Sequence, residues 1–247
     1  MSSIGPSQGA CPLGGRHATS LRGDHPSRGV FVTGTDTGVG KTTVACALLR
    51  AAVLRGYRAV GMKPVSSGIA PGAAVNADVS ALALAGNVDA PLALRNPYAF
   101  VPAIAPHLAA QGVGETIELD TIRAAFNALM LRADRVIVEG GGGALVPLGE
   151  RGDMLDIAPA LGIPVVLVVG MRLGCINHAL LAALAIRARG LQFAGWVANG
   201  IDPHYEALSA NVAALEQRLP APLLASITWG ESAPAEWTAA AVAHGVV

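Results

Sequence analysis

The chain has 247 residues, 52% of them hydrophobic, and its 17 basic and 17 acidic side chains give no net charge. Lysine and arginine form no cluster, so we expect no nucleic-acid partner. No apolar run approaches the roughly 18 residues of a membrane span, so we expect no membrane partner either. Three widely spaced cysteines, Cys11, Cys46 and Cys175, form neither a disulfide framework nor a metal motif, which predicts a cytoplasmic protein.

Residues 1–28 are rich in Gly, Ser, Pro and Arg, which predicts a disordered N-terminal extension, followed by one domain over residues 29–247. In that domain, short apolar runs alternate with longer helical patterns. The predicted strands are 29–34, 58–63, 135–139, 164–170, 193–198 and 222–227. The predicted helices are 41–55, 78–85, 119–133, 154–161, 176–189, 205–218 and 234–243. This alternation predicts an α/β fold, a mostly parallel sheet with helices on both faces.

The first predicted strand leads into a glycine-rich turn that ends in Gly40-Lys41-Thr42 and opens a helix. Backbone N–H groups and a helix N-terminus in such a turn surround phosphates, a lysine adds positive charge, and a threonine hydroxyl can bind Mg²⁺. Five residues separate Gly34 from Gly40, one more than in the usual pattern. The motif predicts a P-loop NTPase-like domain that binds a nucleoside triphosphate. The alternative is a glycine-rich turn that only caps a helix.

Charged residues also follow the second and third predicted strands. Lys63 would add a second cation to the same edge of the sheet, where ligands of parallel sheets bind, unless it is a solvated surface lysine. Glu139, followed by four glycines, lies where a Mg²⁺ ligand is expected, although an ordinary glycine-rich loop is the alternative. Asp78 precedes a helical pattern, so its local sequence favours an N-cap over a metal ligand.

Two further strand ends have a possible binding role. The segment from Gly170 to His178 enters a helix whose free N–H groups can receive an anion such as a carboxylate, or it is a plain connection. After the fifth predicted strand, the amide of Asn199 can pair with a base edge, or Asn199-Gly200 is a turn.

From Gly29 to about Trp229, these residues resemble the dethiobiotin synthetase family. The matching stretches are Val32 to Thr42, Lys63-Pro64-Val65-Ser66-Ser67-Gly68, Asn96-Pro97-Tyr98, Ala105-Pro106-His107, Val138-Glu139-Gly140, Leu173-Gly174-Cys175-Ile176-Asn177-His178 and Gly195-Trp196-Val197-Ala198-Asn199. The resemblance implies an ATP- and Mg²⁺-dependent ligase that joins CO₂ to 7,8-diaminononanoate and closes a ureido ring. It also implies that a carbamate and a carbamic–phosphoric mixed anhydride are the intermediates.

The resemblance implies a role for individual residues. Lys41 and Lys63 would be catalytic, and Thr42, Asp78 and Glu139 would hold the metal, which reverses the local preference for Asp78 as a cap. The implied ATP-binding residues are Gly38, Val39, Gly40, Lys41, Thr42, Thr43, Asp78, Glu139, Gly140, Gly141, Gly142, Asn199, Gly200, Thr228, Trp229 and Gly230. The implied substrate-binding residues are Thr37, Ser67, Gly174, Cys175, Ile176 and Asn177. The last four would serve the neighbouring subunit, which implies a homodimer.

Three alternatives fit parts of the pattern. A partitioning-type switch ATPase of related fold would carry a lysine where this chain has Asp36, and a basic or amphipathic tail that is not seen here. An amidotransferase-type ligase would need a glutaminase domain for which the chain has no room. A non-catalytic paralogue is disfavoured because the chain has all of the residues that the chemistry needs, namely Lys41, Thr42, Lys63, Asp78 and Glu139.

Overall fold

The computed structural model describes residues 28–231, 241 and 246. The predicted N-terminal extension lies outside the described residues except for Arg28, and the predicted helix 234–243 lies outside them except for Ala241. Within the described part of the chain, no helix is long and apolar enough to cross a membrane.

The described residues form eight strands and eight helices. The strands are β1 (Gly29–Gly34), β2 (Ala59–Met62), β3 (Val65–Ser67), β4 (Tyr98–Phe100), β5 (Arg135–Glu139), β6 (Val165–Met171), β7 (Phe193–Gly200) and β8 (Leu223–Ile227). The helices are α1 (Lys41–Leu54), α2 (Ala77–Ala85), α3 (Leu92–Arg95), α4 (Pro106–Gly112), α5 (Leu119–Met130), α6 (Ile157–Leu161), α7 (Cys175–Ala188) and α8 (Leu208–Glu216).

Six strands form the main sheet, in the order β2-β5-β1-β6-β7-β8. Every neighbouring pair is parallel, and β1, β5 and β6 are buried at every position. Strands that are covered on both faces read as continuous apolar runs. The predicted α/β fold is therefore confirmed.

Alternate residues of each strand pack on opposite sides of the sheet. Phe31 belongs to one core cluster, together with Phe126 of α5 and Ile186 of α7. Its neighbour Val32 belongs to a second cluster, with residues of α1 and α2 such as Leu48. The period of two along a strand produces these two cores, and the helices that cover them leave the carboxyl ends of the strands as the open edge.

Some predicted elements were wrong in extent or missing. β3 and β4 pair in parallel as a second, two-stranded sheet that the sequence did not predict, because strands of three residues have no readable period. The predicted helix 154–161 is a 3₁₀ turn at Met154–Asp156 followed by α6, since Asp153 caps the turn. Helix α8 begins at Leu208 and not at residue 205, because bonds such as Tyr205 N–H to the Asp202 carbonyl form separate turns first.

Candidate active site

A cleft lies where β1, β2 and β5 end, at the edge where parallel sheets bind ligands. Its volume is about 720 Å³. The predicted site residues that line it are Thr37, Gly38, Gly40, Lys41, Thr42, Thr43, Lys63, Ser67, Asp78, Glu139, Gly141 and Gly142. The cleft is also lined by residues to which the sequence assigned no role, namely Val65, Ser66, Ala103, Ile104, Ala105, Pro106 and Val146.

The phosphate loop between β1 and α1 has the backbone that its glycines permit. Gly38 and Gly40 have φ values of 74° and 89°, in the left-handed region that favours glycine. A Cβ on Gly34 would lie 2.7 Å from Cγ2 of Val39, so the loop folds tightly over its own strand. The turn therefore presents backbone and the N-terminus of α1 to the cleft, as phosphate binding requires.

Lys41 lies buried within this loop. Its Nζ donates to the backbone carbonyl of Asp36 at 2.8 Å. Burial, and then repulsion from the Lys63 ammonium, lower the pKa of Lys41 to about 8. An anion bound in the loop would favour the ammonium form of Lys41, because a nearby opposite charge offsets the cost of burying the positive charge.

Lys63 is the centre of an ion cluster that is buried at Lys63 and Glu139 and partly exposed at Asp78. Its Nζ lies 2.6 Å from Oε1 of Glu139 and 2.7 Å from Oδ2 of Asp78. The same Oε1 accepts a hydrogen bond from Oγ1 of Thr42 at 2.9 Å. The side chains of Lys63 and Glu139 are 6% and 1% exposed, so this ion pair is shielded from water. Lys63 is therefore not the solvated surface lysine of the alternative interpretation.

The charges in this cluster stabilise one another. Burial alone lowers the pKa of Lys63, but attraction by Glu139 and Asp78 outweighs it, so the pKa lies above the usual lysine value. Burial raises the pKa of Asp78, and the adjacent Lys63 ammonium lowers it by more, so this carboxyl titrates below its usual range. Lys63 therefore remains an ammonium and Asp78 a carboxylate at neutral pH.

The same residues form a donor set that fits Mg²⁺. A hydroxyl from Thr42 and carboxylates from Asp78 and Glu139 supply the oxygen ligands that this ion prefers. Oε2 of Glu139 is buried and has no hydrogen-bond partner among the described residues. A buried carboxylate oxygen without a partner is costly, and a cation in the cleft would satisfy it.

Asp78 is not the N-cap of α2 that its local sequence favoured. Asn76 is the cap, and its side-chain oxygen accepts from the backbone N–H of Asp78 at 3.0 Å. The amide of Asn76 also donates to the carbonyls of Ser67 and Gly68. Because Asn76 satisfies the helix end, the Asp78 carboxylate is left to face the cleft.

Asn96 fixes the backbone that carries Lys63, and the sequence assigned it no role. Its Nδ2 donates to the carbonyls of Lys63 at 2.7 Å and Tyr98 at 3.0 Å, and its Oδ1 accepts from Oγ of Ser66 at 2.9 Å. Asn96 is 5% exposed and lies just before β4. The Asn96-Pro97-Tyr98 stretch was the only signal in the sequence that pointed to this position.

Comparison with known proteins identifies the family. The AAA domain family matches residues 28–236. The ATP-dependent dethiobiotin synthetase BioD of Nitrosospira multiformis is 54% identical over 83% of this chain and 90% of its own length. The enzyme of the same name from Xanthomonas euvesicatoria is 50% identical over 90% of this chain and 97% of its own. The chain belongs to the dethiobiotin synthetase family.

One solved structure resembles this chain in its fold alone. The MinC:MinD cell division protein complex of Aquifex aeolicus matches with a TM-score of 0.53 and 13% identity, over 86% of this chain and 85% of that one. Its identity is too low to transfer a function to a member of the dethiobiotin synthetase family.

The residues predicted for the base lie beside the cleft and do not line it. Asn199 and Gly200 are the last residues of β7 and pair with β6, so the alternative of an Asn-Gly turn is wrong. Nδ2 of Asn199 donates to the carbonyl of Val39 at 2.9 Å, beneath the phosphate loop. A Cβ on Gly200 would lie 2.9 Å from the backbone nitrogen of Trp229, so the Thr228–Gly230 segment passes close to this strand end. Gly140, also predicted for ATP, packs against Phe31 behind the cleft.

Gly174, Cys175, Ile176 and Asn177 lie at the N-terminus of α7 and do not line the cleft of their own chain. Gly174 and Asn177 are exposed, whereas Cys175 is buried. Arg172, just before them, forms an ion pair of 2.7 Å with Asp36 of the phosphate loop. For this member of the dethiobiotin synthetase family, a role of these four residues in a partner's site stays a prediction.

Proposed function

We propose that this protein is an ATP-dependent dethiobiotin synthetase. It would carboxylate 7,8-diaminononanoate with CO₂, close the ureido ring, and release dethiobiotin, ADP and phosphate. The observation that carries the proposal is the convergence of Lys41, Lys63, Thr42, Asp78 and Glu139 in one cleft. The names of the relatives with 50% identity or more support it. A cytoplasmic location remains our prediction.

The reaction depends more on neutralising the negative charge of the phosphates and the carbamate, and on placing the reacting groups in line, than on activating a nucleophile. One amine of the substrate attacks CO₂ and loses a proton to give a carbamate. A carbamate oxygen then attacks the γ-phosphorus, and ADP leaves. The second amine attacks the carbamoyl carbon of the mixed anhydride, phosphate leaves and the ring closes. Holding the reacting groups in line and stabilising the developing anions supply the rate enhancement.

Each lysine has a position suited to one of these anions. Lys41 projects from the phosphate loop, where its ammonium can contact the β- and γ-phosphates. Lys63 lines the same cleft as Ser67, where its ammonium can hold the carbamate. Thr42, Asp78 and Glu139 would hold Mg²⁺, which when bound neutralises phosphate charge. The amide of Asn199, which lies beneath the phosphate loop, would form hydrogen bonds with the base of ATP.

We further propose a homodimer in which the N-terminus of α7 completes the partner's site. The N-terminus of α7, which follows the exposed Gly174, would receive the carboxylate of 7,8-diaminononanoate. Asn177→Ala should weaken diamine binding, and mixing it with Lys41→Ala protein should restore partial activity through hybrid dimers. Absence of recovery after confirmed subunit exchange would contradict the shared site.

The first experiment is phosphate release from ATP and Mg²⁺ with bicarbonate, in the presence and absence of 7,8-diaminononanoate. We expect release to depend on the diamine and dethiobiotin to form in equal amount. Hydrolysis that ignores the diamine would instead favour a switch ATPase.

Lys63→Ala should abolish product while ATP still binds. Arg58→Ala is the matched control, because it removes an exposed cation at the other end of β2.

A further inference from the structure

Lys63 occupies the space between the residues that fit a metal. Its ammonium bridges two different carboxylates, at 2.6 Å from Glu139 and 2.7 Å from Asp78. The oxygen that it shares on Glu139 also accepts from the Thr42 hydroxyl. The cluster therefore already holds one positive charge, supplied by the protein itself.

We propose that the Lys63 ammonium and a divalent cation compete for these carboxylates, so that Lys63 turns into the cleft when the cation binds. The inference rests on the proposed function, in which Lys63 holds the carbamate. It deepens that function by assigning Lys63 two successive partners, first the carboxylates of Asp78 and Glu139 and then the substrate anion.

Electrostatic repulsion disfavours simultaneous binding of the Lys63 ammonium and a divalent cation. An ammonium and a divalent cation that share one carboxylate oxygen would lie within a few ångströms of each other in a site shielded from water, where repulsion is strong. Lys63 and Glu139 are 6% and 1% exposed, so solvent screens charges at the Glu139 oxygen only weakly, whereas Asp78 is 41% exposed. Its Oε2, which has no partner among the described residues, adds a position that favours a cation over the ammonium.

Hydrogen bonds hold the backbone of Lys63 in place, so only its side chain is free to move. Its backbone N–H donates to the Arg95 carbonyl at 2.7 Å, and its carbonyl accepts from Asn96 at 2.7 Å. Beyond this fixed backbone, four flexible carbons carry the ammonium into a cleft of about 720 Å³. A rotamer change can therefore release the ammonium without a change of fold.

The consequence for the proposed reaction is an order of events. Until a cation takes the carboxylates, the ammonium of Lys63 is held at Asp78 and Glu139 and is not available to a carbamate. Lys63 would therefore bind the labile carbamate only in a site already loaded for phosphoryl transfer.

The first test measures Mn²⁺ binding in the absence of nucleotide. The electron paramagnetic resonance signal of free Mn²⁺ reports how much of the ion remains unbound. Lys63→Met removes the competing charge at similar length, and we expect it to tighten binding at least tenfold. Lys41→Met is the matched control, because Lys41 lines the same cleft but its ammonium contacts the Asp36 carbonyl. Less than threefold tightening is expected for it. Equal effects of the two variants, or no tightening by Lys63→Met, would overturn the proposal.

A second test uses the wild-type protein and does not depend on how the variants fold. Lys41 and Lys63 are the two lysines of the whole chain, so acetylation with an amine-reactive ester reports on both in one mass spectrum. Added Mg²⁺, at constant ionic strength and pH and without nucleotide, should raise acetylation of Lys63 relative to Lys41 at least threefold. An unchanged ratio contradicts the exchange.

Neither test requires turnover. If diamine-dependent phosphate release is observed but Mn²⁺ affinity and acetylation do not respond as expected, the exchange fails and the proposed function stands. If phosphate release ignores the diamine, the proposed function fails whatever the metal measurements show.

Discussion

Replacing Asn96 by alanine tests whether one buried amide holds Lys63 in place. Asn96 makes three hydrogen bonds, to the Lys63 and Tyr98 carbonyls and to the Ser66 hydroxyl, and all lie in the protein interior. Asn96→Ala leaves these three groups without their partner. At about 1 kcal/mol for each lost bond, we expect the free energy of unfolding to fall by about 3 kcal/mol.

The assay is urea unfolding of Asn96→Ala beside Asn211→Ala. Asn211 is half-buried, and its amide makes one solvent-exposed hydrogen bond, to the Ala207 carbonyl at the start of α8. We therefore expect the control to lose about 0.5 kcal/mol or less. If Asn96→Ala lost under about 1 kcal/mol, or no more than the control, water or a shifted backbone would have replaced the bonds and the reasoning would be refuted. Turnover should fall with Asn96→Ala, because Lys63 loses one of the two hydrogen bonds that hold its backbone.

Other substitutions test the loop, a helix cap and a surface ion pair. Gly40→Ala should weaken ATP binding at least tenfold in calorimetry, since its φ is 89° and the new Cβ would lie 2.1 Å from Nδ2 of Asn199. Gly56→Ala has similar backbone strain (φ 83°) and no crowding, so ATP affinity should not change; an equal loss in both would contradict the steric argument. Asn76→Ala removes the cap of α2 and two hydrogen bonds to the Ser67 and Gly68 carbonyls, so it should cost about 2–3 kcal/mol in urea unfolding; an unchanged midpoint would contradict this role. Arg189→Ala removes partly exposed ion pairs with two aspartates and should cost about 1 kcal/mol or less, mostly lost in high salt; a larger, salt-independent loss would point to packing instead.

The convergence of Lys63 and Glu139 could be predicted because parallel strands bring their carboxyl ends to one edge. The two residues are far apart in sequence, but β2 and β5 are neighbours in the sheet. Apolar runs were enough to predict these strands, and their last residues then had to share a cleft. The phosphate loop was predictable for a simpler reason, since its residues are contiguous.

The support around the cleft could not be predicted in the same way. Two of the three hydrogen bonds of Asn96 go to backbone carbonyls, which every residue has, so the side chains of Lys63 and Tyr98 do not mark these contacts. Asp78 was a plausible cap until the structure placed Asn76, two residues earlier, at the helix end. The pairing of β3 with β4 depends on the chain path between them, which a local pattern does not contain.

The two sheets that border the cleft should differ in how readily they open. In the main sheet, β1 lies between β5 and β6 and is buried throughout, so its amide protons should exchange with solvent only on global unfolding. β3 and β4 have one neighbour each and three residues, so their amides should exchange through local opening at much lower free energy. The main sheet beneath the cleft therefore stays closed until the protein unfolds, whereas the β3–β4 sheet at its side opens locally. A ligand that contacts Ser67 would slow exchange in the β3–β4 sheet well before it changed the global unfolding midpoint.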